Sequence, residues 1–167
     1  MQQLYVQLMM DIIGRGIVAS SKVDSEIQKE FKQFPVGFCF AMNVFSNKAA
    51  FYAKVNSSHQ IELLKKPPKK INLTITFKHL RHAFLVFSFQ ESTAQAFAQD
   101  RMVANGDISL AIRLVRCLNR LEVLILPKFL AIRAVKQYPN QLTLQQKFNS
   151  ARPIYFKLAL SYLKGNR

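Results

Sequence analysis

Ile71-Asn72-Leu73-Thr74-Ile75-Thr76-Phe77 places a large apolar side chain at every odd position and Asn or Thr at every even one. Side chains alternate across a strand with a period of two, so this stretch predicts a strand with one face on a core and the other in water, the signature of an antiparallel sheet. Upstream, Val36-Gly37-Phe38-Cys39-Phe40-Ala41-Met42-Asn43-Val44 alternates in the same way, with Gly37, Cys39 and Ala41 forming a small-residue face open to close approach. Phe51, Ala53 and Val55 predict a second strand, and Ile61 and Leu63 a short third. The turns Ser46-Asn47-Lys48 and Ser57-Ser58-His59-Gln60 are short, which predicts hairpins. Met102 to Asp107 reads as a fifth, edge strand. Asn105-Gly106 turns the chain, and Asp107 is placed to cap the next helix.

The flanking segments change period. Residues 3 to 18 predict a helix with Leu4, Leu8, Met9, Ile12 and Ile13 broadly on one side. Ile27 and Phe31, four apart in a polar stretch that Pro35 ends, predict a short helix docked by two side chains. After the fourth strand, Leu80, Ala83, Phe84 and Phe87 stand at helical spacing, and residues 91 to 99 predict another short helix. From Ile108 to about Glu122, Ile108, Ala111, Ile112, Val115 and Leu118 predict an apolar face, with Arg113, Arg116 and Arg120 as a basic stripe. Pro127 ends this run. Phe129, Ala131, Ile132 and Val135 predict a further helix before Pro139, and residues 154 to 163 a last one. Strands in hairpins with helices over one face make the chain α+β, with a five-stranded antiparallel sheet.

The 167 residues suffice for one sizeable core, and a 50% apolar composition is that of a globular domain. Fourteen Phe against no Trp demand burial or an apolar ligand, because Phe has no polar handle. The formal charge of +15 attracts anions: nucleic acid, an anionic membrane surface or an acidic protein. Lys65, Lys66, Lys69 and Lys70, around Pro67-Pro68, form a stiff basic connection, either a solvated linker or an anion-facing patch. Cys39 and Cys117 match no metal spacing and read as buried reduced thiols. No stretch is long and apolar enough to span a bilayer, and the closing Lys-Gly-Asn-Arg is no targeting signal. A cytoplasmic location, with peripheral contact to a membrane left open, is the expectation by elimination.

Catalytic signatures are absent: no GxSxG, phosphate-binding glycine loop or HExxH occurs. His79 and His82 are three apart but lack a third ligand nearby, so neither a metal nor a cofactor is expected. Glu91, Asp100, Asp107 and Glu122 form no acid–base pair. The chain is expected to bind rather than to catalyse.

The order of elements from Ile71 to Ile125 resembles the sterol carrier protein 2 family. The resemblance is carried by the strand Asn72–Phe77, an apolar helix and a short helix like Thr93 to Phe97. It continues through Arg101-Met-Val-Ala-Asn-Gly-Asp107 and the helix opening Ile108-Ser-Leu-Ala-Ile-Arg113. Gly106, Asp107 and Ala111 match the family's turn and helix start, and the hairpins from Val36 to Leu64 fit its opening strands. The resemblance implies a non-catalytic binder of a lipid, sterol-like or isoprenoid molecule, held in an apolar cavity between sheet and helices. Some bacterial relatives look like accessory factors that present hydrophobic intermediates in quinone synthesis. Phe84, Phe87, Phe89, Phe97, Met102, Ile112, Val115 and Leu118 are then the expected lining, or else ordinary core.

One domain spanning 1–167 is expected, with its core at about 24–126. Residues 1–23 and 127–167 depart from the compact family domain and would pack on it or on a partner. Two other readings stand beside the lipid binder: a nucleic-acid-binding module using the basic surface, and an assembly scaffold whose C-terminal helices bind another protein. For a carrier meeting a membrane, the lysine run and the arginine stripe would face anionic headgroups, with Phe156 and Leu160 docking.

Overall fold

The alternating stretch forms strand β4 (Leu73–Phe77), seated between β1 (Cys39–Val44) and β5 (Met102–Gly106). The computed structural model describes residues 1–45, 49–125 and 144–163. With β2 (Ala50–Val55) and β3 (Ile61–Leu64), the strands form one sheet in the order β3-β2-β1-β4-β5. The neighbours β1/β2, β2/β3 and β4/β5 are antiparallel. The pair β1/β4 is parallel, with Phe40 opposite Leu73 and Val44 opposite Phe77. The sheet is therefore mixed, which corrects the expectation of an all-antiparallel one. Hairpins fix direction only across short connections. The chain must pass β2 and β1 between β3 and β4, and this crossover returns it alongside β1 in the same sense.

The register gathers Phe40, Met42, Phe51, Ala53, Ile61, Leu73, Ile75, Phe77 and Met102 on one face, all buried. Helices α1 (Gln2–Ser21), α2 (Ser25–Phe31), α3 (Leu80–Phe87), α4 (Thr93–Ala98), α5 (Ile108–Ile125) and α6 (Leu144–Leu163) complete the α+β architecture; the first five cover this face, and α6 packs on α1 and α5. The opposite face carries Tyr52, Lys54, Glu62, Thr74 and Thr76, each exposed or half-buried. Phe rings knit the interior: Phe31 lies 5.3 Å from Phe34 and 6.3 Å from Phe40, and Phe77 meets Phe87 edge-on at 5.2 Å.

Helix α1 is a central piece of the helical layer. It buries Val6, Met10, Ile13 and Ile17, at spacings of four, three and four, while Leu4 and Leu8 are exposed. The buried stripe is thus rotated from the expected one. It includes the glycine side of the helix: a Cβ on Gly16 would sit 3.0 Å from a Leu121 methyl, so α1 and α5 approach as closely as a glycine permits.

Helix α2 starts at Asp24, whose Oδ1 accepts from Ile27 N at 3.0 Å, and both Ile27 and Phe31 are fully buried. Helix α5 starts beyond Asp107, whose Oδ1 accepts from Leu110 N at 3.1 Å. Its buried stripe is Ala111, Leu114, Leu118 and Leu121; Ile108 and Ile112, expected on that face, are exposed. Helix α6 begins about ten residues earlier than expected and carries Pro153 inside it. The turn at 46–48 and the expected helix around Phe129 to Val135 lie outside the described residues.

Candidate functional site

The residues expected to line a cavity between sheet and helices divide into three environments. Phe87, Met102 and Leu118 are buried and belong to the packed core. Phe84, Phe97 and Val115 are half-buried against it, and Phe84 packs edge-on to Tyr5 at 5.4 Å. Phe89 is half-buried with a positive φ of 59°, and Ile112 is half exposed. Within the helical layer, Leu121 of α5 is pressed against Gly16 of α1.

The arginine stripe faces α2 and is ion-paired there, although Arg116 remains exposed. Arg113 Nη1 donates to Glu30 Oε2 at 2.8 Å, Arg116 lies 3.5 Å from Glu30 Oε1, and Arg120 Nη2 donates to Asp24 Oδ2 at 3.2 Å. Two acids, Asp24 at the head of α2 and Glu30 within it, thus hold three guanidinium groups and pin α2 to α5. The sequence shows both partners but not that they meet. Lys65, Lys66, Lys69 and Lys70 are exposed, and none is ion-paired among the described residues.

A cleft of about 450 Å³ opens where α1, β3 and α6 meet. Its apolar walls are Val18 and Ala19 of α1, Ile61 and Leu63 of β3, and Leu160 of α6. Ala19 and Ile61 are buried; Val18, Leu63 and Leu160 are half-buried and offer apolar surface. Polar groups stand around them: Arg15, Lys22, Glu62, Lys157 and Ser161. Lys22 and Lys157 are exposed and have no ion-pair partner among the described residues.

Arg15 builds the α6 wall. It is 5% exposed and bonds Asp11 Oδ2 through Nε at 2.9 Å, and the carbonyl and hydroxyl of Ser161 through Nη1 at 3.1 and 3.2 Å. Its guanidinium lies 4.3 Å from the Tyr162 ring centre, and the Tyr162 hydroxyl donates to Asp11 at 2.8 Å. Burial, and then the bond to Asp11, push the Tyr162 hydroxyl up to about 12, so it remains a donor throughout the physiological range. Removing the cation would leave Asp11 with the Tyr162 hydroxyl as a donor but without its charge partner, and would take the Arg15 donor from the Ser161 carbonyl. Arg15→Met is expected to cost about 1–3 kcal/mol and to release α6. Limited proteolysis followed by mass spectrometry should show faster cleavage within 144–163 and unchanged protection of the sheet.

Sequence reading found none of the three walls as a unit, because Val18, Leu63 and Leu160 belong to elements far apart in the chain. Among the described residues, no group of three or more His, Cys, Asp or Glu is placed to hold a metal ion, and no helix is long and apolar enough to cross a membrane. His79 and His82 stack edge-on at 5.0 Å, and burial, with His79 beside it, lowers the His82 pKa.

No family model matches the chain, and no curated protein sequence matches it. Among solved structures, a UbiJ-SCP2 ubiquinone synthesis protein is similar at 12% identity and a TM-score of 0.45, over 71% of this chain and 96% of that one. Sterol carrier protein 2 from Yarrowia lipolytica, in its apo form, is similar at 14% identity and a TM-score of 0.45, over 68% and 89%. Palmitated SCP2L2 from Aedes aegypti is similar at 14% identity and a TM-score of 0.38, over 60% and 91%.

Proposed function

We propose that this chain binds a lipid-like molecule without transforming it, and that the cleft between α1, β3 and α6 receives the apolar portion. The observation that carries the reading is the cleft's composition: five apolar side chains from three elements under a rim with two lysines that have no ion-pair partner among the described residues. Its volume of about 450 Å³ falls in the range of small-molecule sites. Each methylene moved from water onto those walls contributes about 0.8 kcal/mol. Lys22 and Lys157 favour an acidic head over a neutral one, since an anion held between two cations is stabilised at the mouth. The resemblance of residues 71 to 125 to a lipid-binding family points to the same ligand class. An isoprenoid or quinone precursor and a fatty acid are both amphiphiles of this kind.

The test is displacement of an environment-sensitive fluorescent fatty acid. Val18→Trp fills the cleft from α1, at a half-buried position. It is expected to weaken binding at least tenfold while leaving the far-ultraviolet circular dichroism unchanged. Lys22→Gln with Lys157→Gln is expected to weaken the acid but not its methyl ester. Equal binding by wild type and Val18→Trp would refute the assignment.

A further inference from the structure

We propose a second site, on the sheet face opposite the helices, that binds a phosphate-class anion through Lys54, Lys66 and Lys70. A shallow, open depression of about 600 Å³ lies there, lined by Gly37, Cys39, Lys54, Leu64, Lys66, Pro68, Lys70 and Asn72. Cys39, Lys54, Leu64 and Asn72 belong to the sheet side, on the face opposite Phe40, Ala53, Leu63 and Leu73. Lys66, Pro68 and Lys70 come from the crossover connection between β3 and β4.

Three lysines and no acid line this depression. None of the three is ion-paired among the described residues. The nearest carboxylate along the sheet is Glu62, directly across from Lys54, and its Oε1 accepts instead from Asn56 Nδ2 at 2.9 Å. Pro67 and Pro68 restrict the connection, so the like charges on either side of them cannot spread as freely as on a flexible loop. Three ammonium groups around one concavity repel one another, and a multiply charged anion relieves that repulsion.

Asn72 supplies donors of a different kind. Its Oδ1 accepts from Cys39 N at 3.0 Å, which fixes the side chain and leaves both Nδ2 hydrogens without a partner among the described residues. Ammonium charge beside a fixed amide donor suits the oxygens of a phosphate or pyrophosphate group, whether free or on a lipid head. This site uses none of the residues of the apolar cleft, so either can fail without the other.

The test is calorimetric titration of the full chain with pyrophosphate, comparing two variants of equal charge loss. Lys54→Gln/Lys66→Gln/Lys70→Gln is expected to weaken binding at least tenfold. Lys32→Gln/Arg81→Gln/Arg152→Gln, which alters exposed cations that do not line the depression or its connection, is expected to change it less than threefold. A second arm uses phosphatidylcholine vesicles with and without phosphatidic acid. Vesicle binding that depends on the three lining lysines and is competed by pyrophosphate supports a lipid head as the source. Pyrophosphate binding without vesicle binding supports a free anion. Equal losses in both triple variants, no pyrophosphate binding, or binding of oligonucleotides alone would each overturn the site.

Discussion

Gly106→Ala is expected to cost about 3–5 kcal/mol, a large loss for a single added methyl group. Gly106 closes β5 opposite Leu73 with φ at +136°, a conformation that side-chain-bearing residues rarely adopt. A Cβ there would also run into the backbone oxygen of Asn72 and come within 3.0 Å of Leu73 Cα. Neither obstacle is a flexible side-chain end, so the strand pair itself must shift. Gly37→Ala supplies the control. Its φ is +84°, but an added Cβ would meet nothing within 4 Å. That variant carries conformational strain alone, about 1 kcal/mol. Thermal unfolding should separate them, with Gly106→Ala lowered by roughly 10 °C or more and Gly37→Ala by a few degrees. Equal shifts would show that the contact with Asn72 does not decide the cost.

Glu122→Gln is expected to stabilise the protein increasingly as pH rises. Glu122 lies in the last two turns of α5, buried, and its Oε2 has no hydrogen-bond partner among the described residues. Burial raises its pKa from 4.5 to about 8. A raised folded-state pKa means that the protonated acid is the form the fold tolerates. The stability is fully present below pH 4.5, falls as pH rises and is lost through about pH 8. The loss runs at about 1.4 kcal/mol per pH unit over that window. The amide has no such charge to bury. Urea denaturation at pH 5 and pH 9 should show the gap between variant and wild type widening by several kcal/mol. Parallel pH profiles would contradict a buried, unpaired acid.

Much of the sheet was legible because strand periodicity is local. The alternation in 36–44, 51–55 and 71–77 is visible residue by residue, and a half-buried sheet requires it. The direction of β4 was not legible, since it depends on how the basic connection crosses the sheet. The helix faces were harder still. In α1 the close approach of Gly16 to Leu121 turns Val6, Met10 and Ile17 inward and leaves Leu4 and Leu8 outside. Hydrophobicity alone ranks those leucines first, because a glycine contributes nothing to an apolar stripe. Arg113, Arg116 and Arg120 likewise read as a free basic surface until Asp24 and Glu30 are seen opposite them. Both candidate sites join residues from separate elements: Val18 with Leu63 and Leu160, and Lys54 with Lys66 and Lys70. No short motif marks either one.

Whether the cleft between α1, β3 and α6 holds an apolar molecule is tested most directly by native mass spectrometry of gently purified wild type and Val18→Trp, with lipid extraction of both. The wild type is expected to retain a mass that extraction identifies as an amphiphile. The Val18→Trp protein, unchanged in fold, is expected to carry at most a tenth as much. A wild type that is empty and takes up no added fatty acid, or a Val18→Trp variant loaded to the same extent, would contradict a ligand in this cleft.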